Sequence, residues 1–205
     1  MSETLVEVSG VSKTVYGREI LAPVSFALST GEGVVLTGPN GSGKTTLLKI
    51  LAGRDLATEG TIEVHDSLKH RAGIATVLGD PPYFEDLTVL EHLRFVCVSW
   101  GESPDTSEPE RILAALKISR IQDSFPLELS SGERQLVSLA IGFIRPSELM
   151  ILDEPEQRLD IERRALVAEL LLDKKRNGGA VVMATHDPQF VEALADSHVA
   201  LGITG

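Results

Sequence analysis

The sequence of 205 residues predicts an α/β protein in which helices cover a largely parallel sheet. Three observations lead to this prediction. Short apolar runs of strand length alternate with segments of helical periodicity in both outer parts of the chain. A glycine-rich turn at residues 38–46 joins a predicted strand to a predicted helix. A mainly helical stretch at about residues 87–145 interrupts the alternation and predicts an inserted subdomain.

The predicted strands lie in the two outer parts of the chain. They share short apolar or alternating runs, which are typical of buried and half-buried strands. They cover residues 5–8, 24–28, 34–36, 61–64, 74–78, 149–152, 180–185 and a last segment near Val199. Residues 15–19 predict a turn that carries an aromatic side chain.

The predicted helices share apolar residues spaced three and four apart. They cover residues 46–52, about 88–100, about 108–118, about 131–144, about 158–176 and a short segment after residue 185. The middle three have no strand between them. We therefore expect one domain over residues 1–205, with a core from about 1–86 and 146–205 and a helical subdomain from about 87–145.

Composition and charge exclude several classes of protein. The net charge of −11 argues against a nucleic-acid surface, which needs a basic face. The single cysteine, Cys97, excludes an internal disulfide and fits a reducing compartment. The N-terminus has no signal-peptide pattern. No apolar run is as long as a membrane helix requires, which is about 18 residues. A membrane role would therefore depend on a partner.

The glycine-rich turn fits the phosphate-binding pattern G-x-x-x-x-G-K-[ST] at residues 38–45. Its glycines let backbone N–H groups point at one anion, and the start of the following helix adds partial positive charge. Lys44 suits the β- and γ-phosphates, and the Thr45 hydroxyl suits Mg²⁺. A chance glycine-rich turn is the alternative, which the preceding strand and the Lys-Thr pair disfavour. The predicted binding residues are Asn40, Gly41, Ser42, Gly43, Lys44, Thr45 and Thr46.

Two adjacent acids end the apolar run at residues 149–152. The carboxyl end of a parallel strand is where ligands bind in α/β sheets. Asp153 is a candidate Mg²⁺ ligand, and Glu154 is a candidate for polarising an attacking water. The alternative is a strand that ends in a polar turn before Pro155. The phosphate loop upstream favours the catalytic interpretation.

Ser130 opens the predicted helix at residues 131–144 and has two interpretations. Ser130 and Glu133 fit a capping box, which needs no ligand. The same glycine-containing helix start could instead bind phosphate through the free serine hydroxyl. The residues alone leave these two alternatives open.

Taken together, the motifs resemble a known family. A phosphate loop is followed by L-S-x-G-E at residues 129–133, Leu-Asp-Glu-Pro at 152–155 and Thr-His-Asp at 185–187. This series resembles the nucleotide-binding subunit of ATP-binding cassette (ABC) transporters, from Tyr16 to His186. The resemblance implies a phosphate-loop ATPase core with a mostly parallel sheet, an N-terminal antiparallel β part and the inserted helical subdomain.

The resemblance also implies roles for individual residues. Tyr16 would stack on adenine, although a tyrosine in a turn is the alternative. Ser130 and Gly132 would contact the γ-phosphate bound to the other protomer. Asp160 lies in the loop that links the two sites of a dimer, and His186 would hydrogen-bond the γ-phosphate.

Three departures from the family pattern affect these roles. Ser131 and Glu133 replace the usual Gly and Gln, and residues 157–158 are Gln-Arg where small residues are common. Gly79 and Asp80 lie near the position of the usual Mg²⁺-binding Gln. Asp80 could supply a carboxylate ligand to Mg²⁺, or a water could fill that position while Asp80 only shapes the turn.

The function that the resemblance implies is ATP hydrolysis with Mg²⁺ in a head-to-tail homodimer or pseudo-dimer. Separately encoded transmembrane subunits would couple the hydrolysis to transport, with the chain cytoplasmic and peripheral on the inner face of the cell membrane. No nucleic-acid partner is expected. One alternative is a non-transport ABC ATPase, for example in iron–sulfur cluster assembly. Another is a nucleotide-binding regulator without turnover, which Glu154 and His186 disfavour.

Overall fold

Two sheets and six helices organise the described part of the chain in the computed structural model. The structure describes residues 3–70, 73–79, 81, 83–103 and 105–202. Within these residues, a three-stranded antiparallel sheet and a five-stranded parallel sheet account for all the strands. The predicted fold class is confirmed, with its parallel sheet, its antiparallel β part and its helices.

The antiparallel sheet comes from the first part of the chain. Strands β1 (Thr4–Val15), β2 (Arg18–Ser29) and β4 (Glu59–Val64) have the order β2-β1-β4. Tyr16 and Gly17 form the predicted turn, with positive φ angles of 49° and 77° that suit a two-residue hairpin. β1 and β2 are longer than predicted. Register shifts along their pairing break the apolar alternation beyond the first few residues.

The parallel sheet provides the edge on which the candidate site lies. It contains β3 (Gly33–Thr37), β5 (Ile74–Val77), β6 (Leu149–Asp153), β7 (Ala180–Ala184) and β8 (Ser197–Ala200), in the order β5-β6-β7-β3-β8. All neighbouring pairs are parallel. The carboxyl ends of β3, β6 and β7 therefore lie beside one another.

The six helices are α1 (Lys44–Leu51), α2 (Val89–Ser99), α3 (Glu108–Ala115), α4 (Ser131–Phe143), α5 (Ile161–Arg176) and α6 (Pro188–Leu194). Short 3₁₀ turns occupy Asp66–Lys69, Ser119–Ile121 and Pro126–Glu128. α3 ends earlier than predicted, because Lys117 has a φ of 54° that no helix accommodates. α5 begins later than predicted, because Arg158 has a φ of 62° and Asp160 caps the first turn.

The core covers both faces of the parallel sheet. Successive residues of β3 alternate between two apolar clusters: Val35 packs with side chains from α2, α3, α4 and α5, whereas Val34 and Leu36 pack with α1 and the antiparallel sheet. α2 contacts α3 and α4, and α4 contacts β5. The boundaries of the helical subdomain, at about residues 87 and 145, remain a prediction. Among the described residues, no helix has both the length and the apolar character needed to cross a bilayer.

Candidate functional site

The phosphate loop joins β3 to α1 and depends on glycine at two positions. A Cβ atom at Gly38, where φ is 144°, would lie 2.3 Å from the carbonyl oxygen of Leu201. A Cβ atom at Gly43, where φ is 91°, would lie 2.7 Å from the carbonyl oxygen of Ile20. Any residue with a Cβ atom is therefore excluded at these two positions, because a carbon and an oxygen atom cannot approach so closely. The backbone is therefore free to curve and to present its N–H groups to an anion.

Lys44 and Ser42 place polar groups inside this curve. The Lys44 side chain folds back along the loop, and its Nζ donates to the carbonyl oxygens of Gly38 at 2.7 Å and Pro39 at 3.1 Å. The Ser42 Oγ is buried and has no hydrogen-bond partner among the described residues. A buried hydroxyl without a partner costs free energy, which hydrogen bonding to a phosphate oxygen would relieve. The loop thus fits a bound phosphate chain.

A cavity of about 310 Å³ opens over the loop. Its lining residues come from the loop, the first turn of α1, strand β2 and the end of β6: Ile20, Asn40, Gly41, Gly43, Lys44, Thr45, Thr46 and Glu154. The structure therefore brings most of the predicted loop residues together with the predicted catalytic carboxylate. Sequence reasoning missed Ile20, because it lies outside the motifs, between the predicted turn at residues 15–19 and the predicted strand at residues 24–28.

Two of the three predicted magnesium ligands are in contact at the edge of this cavity. The Thr45 hydroxyl donates a hydrogen bond of 2.7 Å to Oδ2 of Asp153, the last residue of β6. Mg²⁺ is commonly held by one or two protein oxygens together with substrate phosphates. Among the described residues, no group of three or more His, Cys, Asp or Glu could hold a metal by itself. The pair fits Mg²⁺ bound with a nucleotide. Asp80, the third predicted ligand, lies outside the described residues.

Glu154 and His186 approach each other at the carboxyl edge of the sheet. Oε1 of Glu154 lies 3.4 Å from Nε2 of His186, and the other carboxylate oxygen accepts a hydrogen bond from the Gln157 side-chain amide. The Glu154 backbone has a φ of 47°, and its N–H donates to the Ala184 carbonyl at 2.9 Å. A non-glycine residue in this left-handed region stores strain, which is common at functional sites. The His186 side chain, which follows β7, is 46% exposed.

Ser130 and Gly132, which were predicted to contact a γ-phosphate, do not line the phosphate cavity. Ser130 is the N-cap of α4, and its hydroxyl donates to Oε2 of Glu133 at 2.6 Å and accepts from the Glu133 N–H at 3.3 Å. A Cβ at Gly132 would lie 2.8 Å from the Arg158 carbonyl oxygen. Hydrogen bonds from Ser130, and then the guanidinium of Arg120 at 2.5 Å, lower the pKa of Glu133 to about 2. The predicted capping box is thus present in the structure, and it does not exclude a role of Ser130 in phosphate binding.

Tyr16 and Asp160 also lie outside the cavity lining. The Tyr16 side chain is fully exposed at the β1–β2 turn. Oδ1 of Asp160 accepts a hydrogen bond of 2.9 Å from the Arg163 N–H and so caps α5. Their roles in adenine stacking and in linking two sites remain predictions. A further cavity of about 750 Å³ beside Glu154 includes Glu156 and Gln157, which the sequence did not single out as site residues.

Comparison with known proteins agrees with a phosphate-loop ATPase. The family model described as ABC transporter matches residues 21–157. The chain is 34% identical to the aliphatic sulfonates import ATP-binding protein of Corynebacterium glutamicum, over 95% of this chain and 78% of that protein. It is 33% identical to the cytochrome c biogenesis ATP-binding export protein of Xanthomonas oryzae pv. oryzae, over 82% of this chain and 79% of that protein. It spans 41% of an ABC transporter ATP-binding protein of Clostridium tetani, with 34% identity.

Solved structures give the same result. The ATP-binding subunit of an ABC transporter matches 96% of this chain and 85% of its own length, with 30% identity and a TM-score of 0.83. A bacterial ABC transporter cassette in dimeric form matches 97% of this chain and 95% of its own length, with 25% identity and a TM-score of 0.83. The chain belongs to the ABC transporter family. It is an ATP-binding ATPase, and none of the relatives named here supports the non-transport alternative.

Proposed function

We propose that the chain binds ATP with Mg²⁺ in the 310 Å³ cavity and hydrolyses the γ-phosphate there. The observation that carries this proposal is that the phosphate loop and Glu154 line one cavity, and that Thr45 of this lining is hydrogen-bonded to Asp153. A phosphate-binding loop, a hard-oxygen pair and a carboxylate are the parts that phosphoryl transfer to water requires.

In this proposal each side chain has one task. The Lys44 ammonium balances charge on the β- and γ-phosphates. Thr45 and Asp153 would hold Mg²⁺, which would withdraw charge from the phosphate oxygens. Glu154 accepts a proton from the water whose oxygen bonds to the γ-phosphorus, while the bond to the ADP oxygen breaks. His186, 3.4 Å from Glu154, donates a hydrogen bond to the γ-phosphate.

The proposal includes a second copy of the chain. Ser130, Gly132 and Asp160 do not line the phosphate cavity of their own protomer. In a head-to-tail dimer, the Ser130–Gly132 segment of each protomer would face the phosphates bound to the other, and the Asp160 loops would lie between the two sites. Tyr16 would stack on the adenine. The match to a cassette of dimeric form supports this arrangement.

We also propose that hydrolysis drives transport through separately encoded transmembrane subunits. The names of the import and export relatives support this role. The chain would then be peripheral on the inner face of the cell membrane. Residues at about 87–145 would form the inserted helical subdomain of a single domain, with the ATPase core at about 1–86 and 146–205.

Mixing two variants of low ATPase activity tests the composite site. Lys44→Ala removes the phosphate charge, and Ser130→Ala removes the signature hydroxyl. In a head-to-tail heterodimer of the two, one site carries both substitutions and the other carries neither. Equal mixing should therefore restore about a quarter of wild-type ATPase activity, since half of the dimers have one intact site. A mixture as inactive as its components contradicts the shared site.

Membrane association is tested separately. A tagged chain should co-purify with a polytopic membrane protein from detergent-extracted membranes of its native cells. The Glu154→Gln variant, which should retain ATP, provides a matched sample in which the complex is trapped. Recovery of both forms without a membrane protein contradicts the transport role and leaves the ATPase assignment intact.

A further inference from the structure

Glu156 is a buried carboxylate at the edge of the candidate site. It follows β6 by three residues and is only 6% exposed. Its Oε1 accepts hydrogen bonds from the Thr185 hydroxyl at 2.5 Å and from the His186 N–H at 3.0 Å. We propose that Glu156 is a positioning residue that fixes the backbone carrying His186 for ATP hydrolysis. This inference rests on the function proposed above for His186.

Burial of the Glu156 carboxylate costs free energy, because it removes a charged group from water. A buried carboxylate usually has a cation or several donors as partners. Here Oε2 is buried without any hydrogen-bond partner in the part of the chain that the structure describes. An apolar side chain of similar size could fill the same space without this cost. The two hydrogen bonds to residues 185–186 are the feature that such a replacement would lose.

These hydrogen bonds fix the segment between β7 and α6 on both sides of the histidine. The Thr185 hydroxyl donates to Glu156 and accepts from the Asp187 N–H at 2.9 Å. Oδ1 of Asp187 accepts from the Gln189 N–H at 2.8 Å and caps α6. The backbone of His186 is therefore held directly by Glu156 and by both of its neighbours.

A second bridge supports the same geometry. Arg164 donates through Nε to the Leu159 carbonyl at 3.0 Å and through Nη1 to Oδ2 of Asp187 at 2.9 Å. The turn after β6 and the segment after β7 are thus joined at two points. Because Glu154 and Glu156 share the first of these segments, the same turn carries the proposed base and the group that positions the histidine.

The test compares Glu156→Leu, which removes both acceptor oxygens, with Glu156→Gln, whose side-chain carbonyl can still accept both hydrogen bonds. Glu148→Leu is the control, because Glu148 is an exposed carboxylate at the opposite end of β6. Glu156→Leu should lower kcat about tenfold and leave the KM for ATP within about twofold, as expected for a residue that acts through another. Glu156→Gln should retain most of the wild-type kcat. In a His186→Ala background, Glu156→Leu should have no further effect on kcat.

Amide hydrogen exchange provides a readout that does not depend on ATP turnover. Exchange of the His186 amide should accelerate about tenfold or more in Glu156→Leu, and it should remain near wild type in Glu156→Gln and Glu148→Leu. Thr185→Val, which removes one of the two donors, replaces Glu156→Leu if that variant does not fold. Thr185→Val should accelerate the same amide and lower kcat with little change in KM.

Two results would overturn the inference. One is unchanged exchange of the His186 amide in a folded variant without the carboxylate or without its Thr185 donor. The other is an equal loss of kcat in the presence and absence of the His186 side chain, which indicates a general structural role. A wild-type chain without ATPase activity would instead refute the proposed function, while the exchange experiment would still decide whether Glu156 holds the histidine segment.

Discussion

The phosphate-loop region and the Ser130 region show opposite ways of using polar groups. Around the loop, Lys44, Thr45 and Glu154 line one cavity, and the Ser42 hydroxyl is left without a partner among the described residues. At Ser130, by contrast, the hydroxyl and N–H both bond to Glu133 of the same helix. The first region is arranged for a ligand within one protomer. The polar groups of the second region are already satisfied within α4.

The start of α2 carries a capping box like that at Ser130. Thr88 and Glu91 at the start of α2 form the same kind of capping box, with the Thr88 hydroxyl accepting from the Glu91 N–H at 3.3 Å. Its geometry matches that of Ser130, where the corresponding distance is also 3.3 Å. The two boxes differ in what surrounds them, since Glu133 is buried and contacts Arg120. Capping geometry alone therefore cannot distinguish a binding segment from a structural helix start.

The largest expected effect comes from the loop region. Glu154→Gln should lower kcat by about 100-fold or more, because it removes the base that accepts a proton from water. ATP binding should persist, since Lys44 and Thr45 are unchanged, and ATP should hold two copies together. Single-turnover hydrolysis and light scattering with and without ATP measure the two effects.

The control for this prediction is Glu148→Gln, a carboxylate at the other end of the same strand. It should hydrolyse ATP at the wild-type rate and form no ATP-stabilised dimer beyond that of wild type. Wild-type turnover in Glu154→Gln would show that another group activates the water. The loop region would then be a binding site only.

A smaller effect is expected from the two matched caps. Thr88→Ala and Ser130→Ala should each lower the free energy of unfolding by about 1 kcal/mol, because each removes an N-cap hydroxyl. Ser130→Ala should in addition lower ATPase activity about 10- to 100-fold, as expected when one phosphate hydrogen bond is lost from the transition state. Thr88→Ala should leave activity unchanged.

Thermal melting and an ATPase assay on the same samples test both caps. If Ser130→Ala behaves like Thr88→Ala in both measurements, Ser130 is only a cap. The phosphate loop would then be a binding site, and the Ser130 segment would be a structural helix start without a ligand.

The sequence predicted the loop region more completely than the Ser130 region for a physical reason. Lys44, Thr45, Asp153 and Glu154 belong to local motifs, and parallel strands bring their ends together without further information. Ser130 was ambiguous because a capping box is also a local pattern, and the structure contains it. The sequence could not assign a role across a protomer boundary from the chain alone.

Features that depend on tertiary contacts were missed. Glu156 follows a proline in a turn, where a carboxylate usually faces solvent, but it is buried against Thr185, which follows the distant strand β7. Ile20 lines the cavity only because β2 passes beside the phosphate loop. The lengths of β1 and β2 were underestimated because bulges interrupt the alternation that predicts strands.

Tyr16 tests whether the loop region extends to the base of the nucleotide. Tyr16→Ala should raise the KM for ATP about tenfold, because stacking of an aromatic ring on a base contributes about 1–3 kcal/mol. The value of kcat and the free energy of unfolding should change little, since the side chain is fully exposed. Tyr16→Phe should retain the wild-type KM. An unchanged KM in Tyr16→Ala would restrict the assigned binding surface to the phosphates.

The last effect concerns stability at the Ser130 cap and its dependence on pH. The Ser130 hydroxyl and N–H, and then Arg120, lower the pKa of Glu133 from 4.5 to about 2. The charged form is therefore favoured in the folded chain, and its contribution is fully present above the ordinary pKa near 4.5. That contribution is lost as the pH falls from about 4.5 toward 2, and it amounts to at most about 3 kcal/mol.

Glu133→Gln removes this titration while keeping the shape of the side chain. Wild type should be more stable than the variant at pH 7 by about 1–3 kcal/mol, and the difference should shrink between pH 5 and pH 3. Urea unfolding at several pH values measures it. Glu91→Gln in the other cap is the control and should show a weaker pH dependence, because Glu91 is exposed whereas Glu133 is buried beside Arg120. A difference that stays constant from pH 7 to pH 3 would mean that Glu133 stabilises the cap by shape rather than by charge.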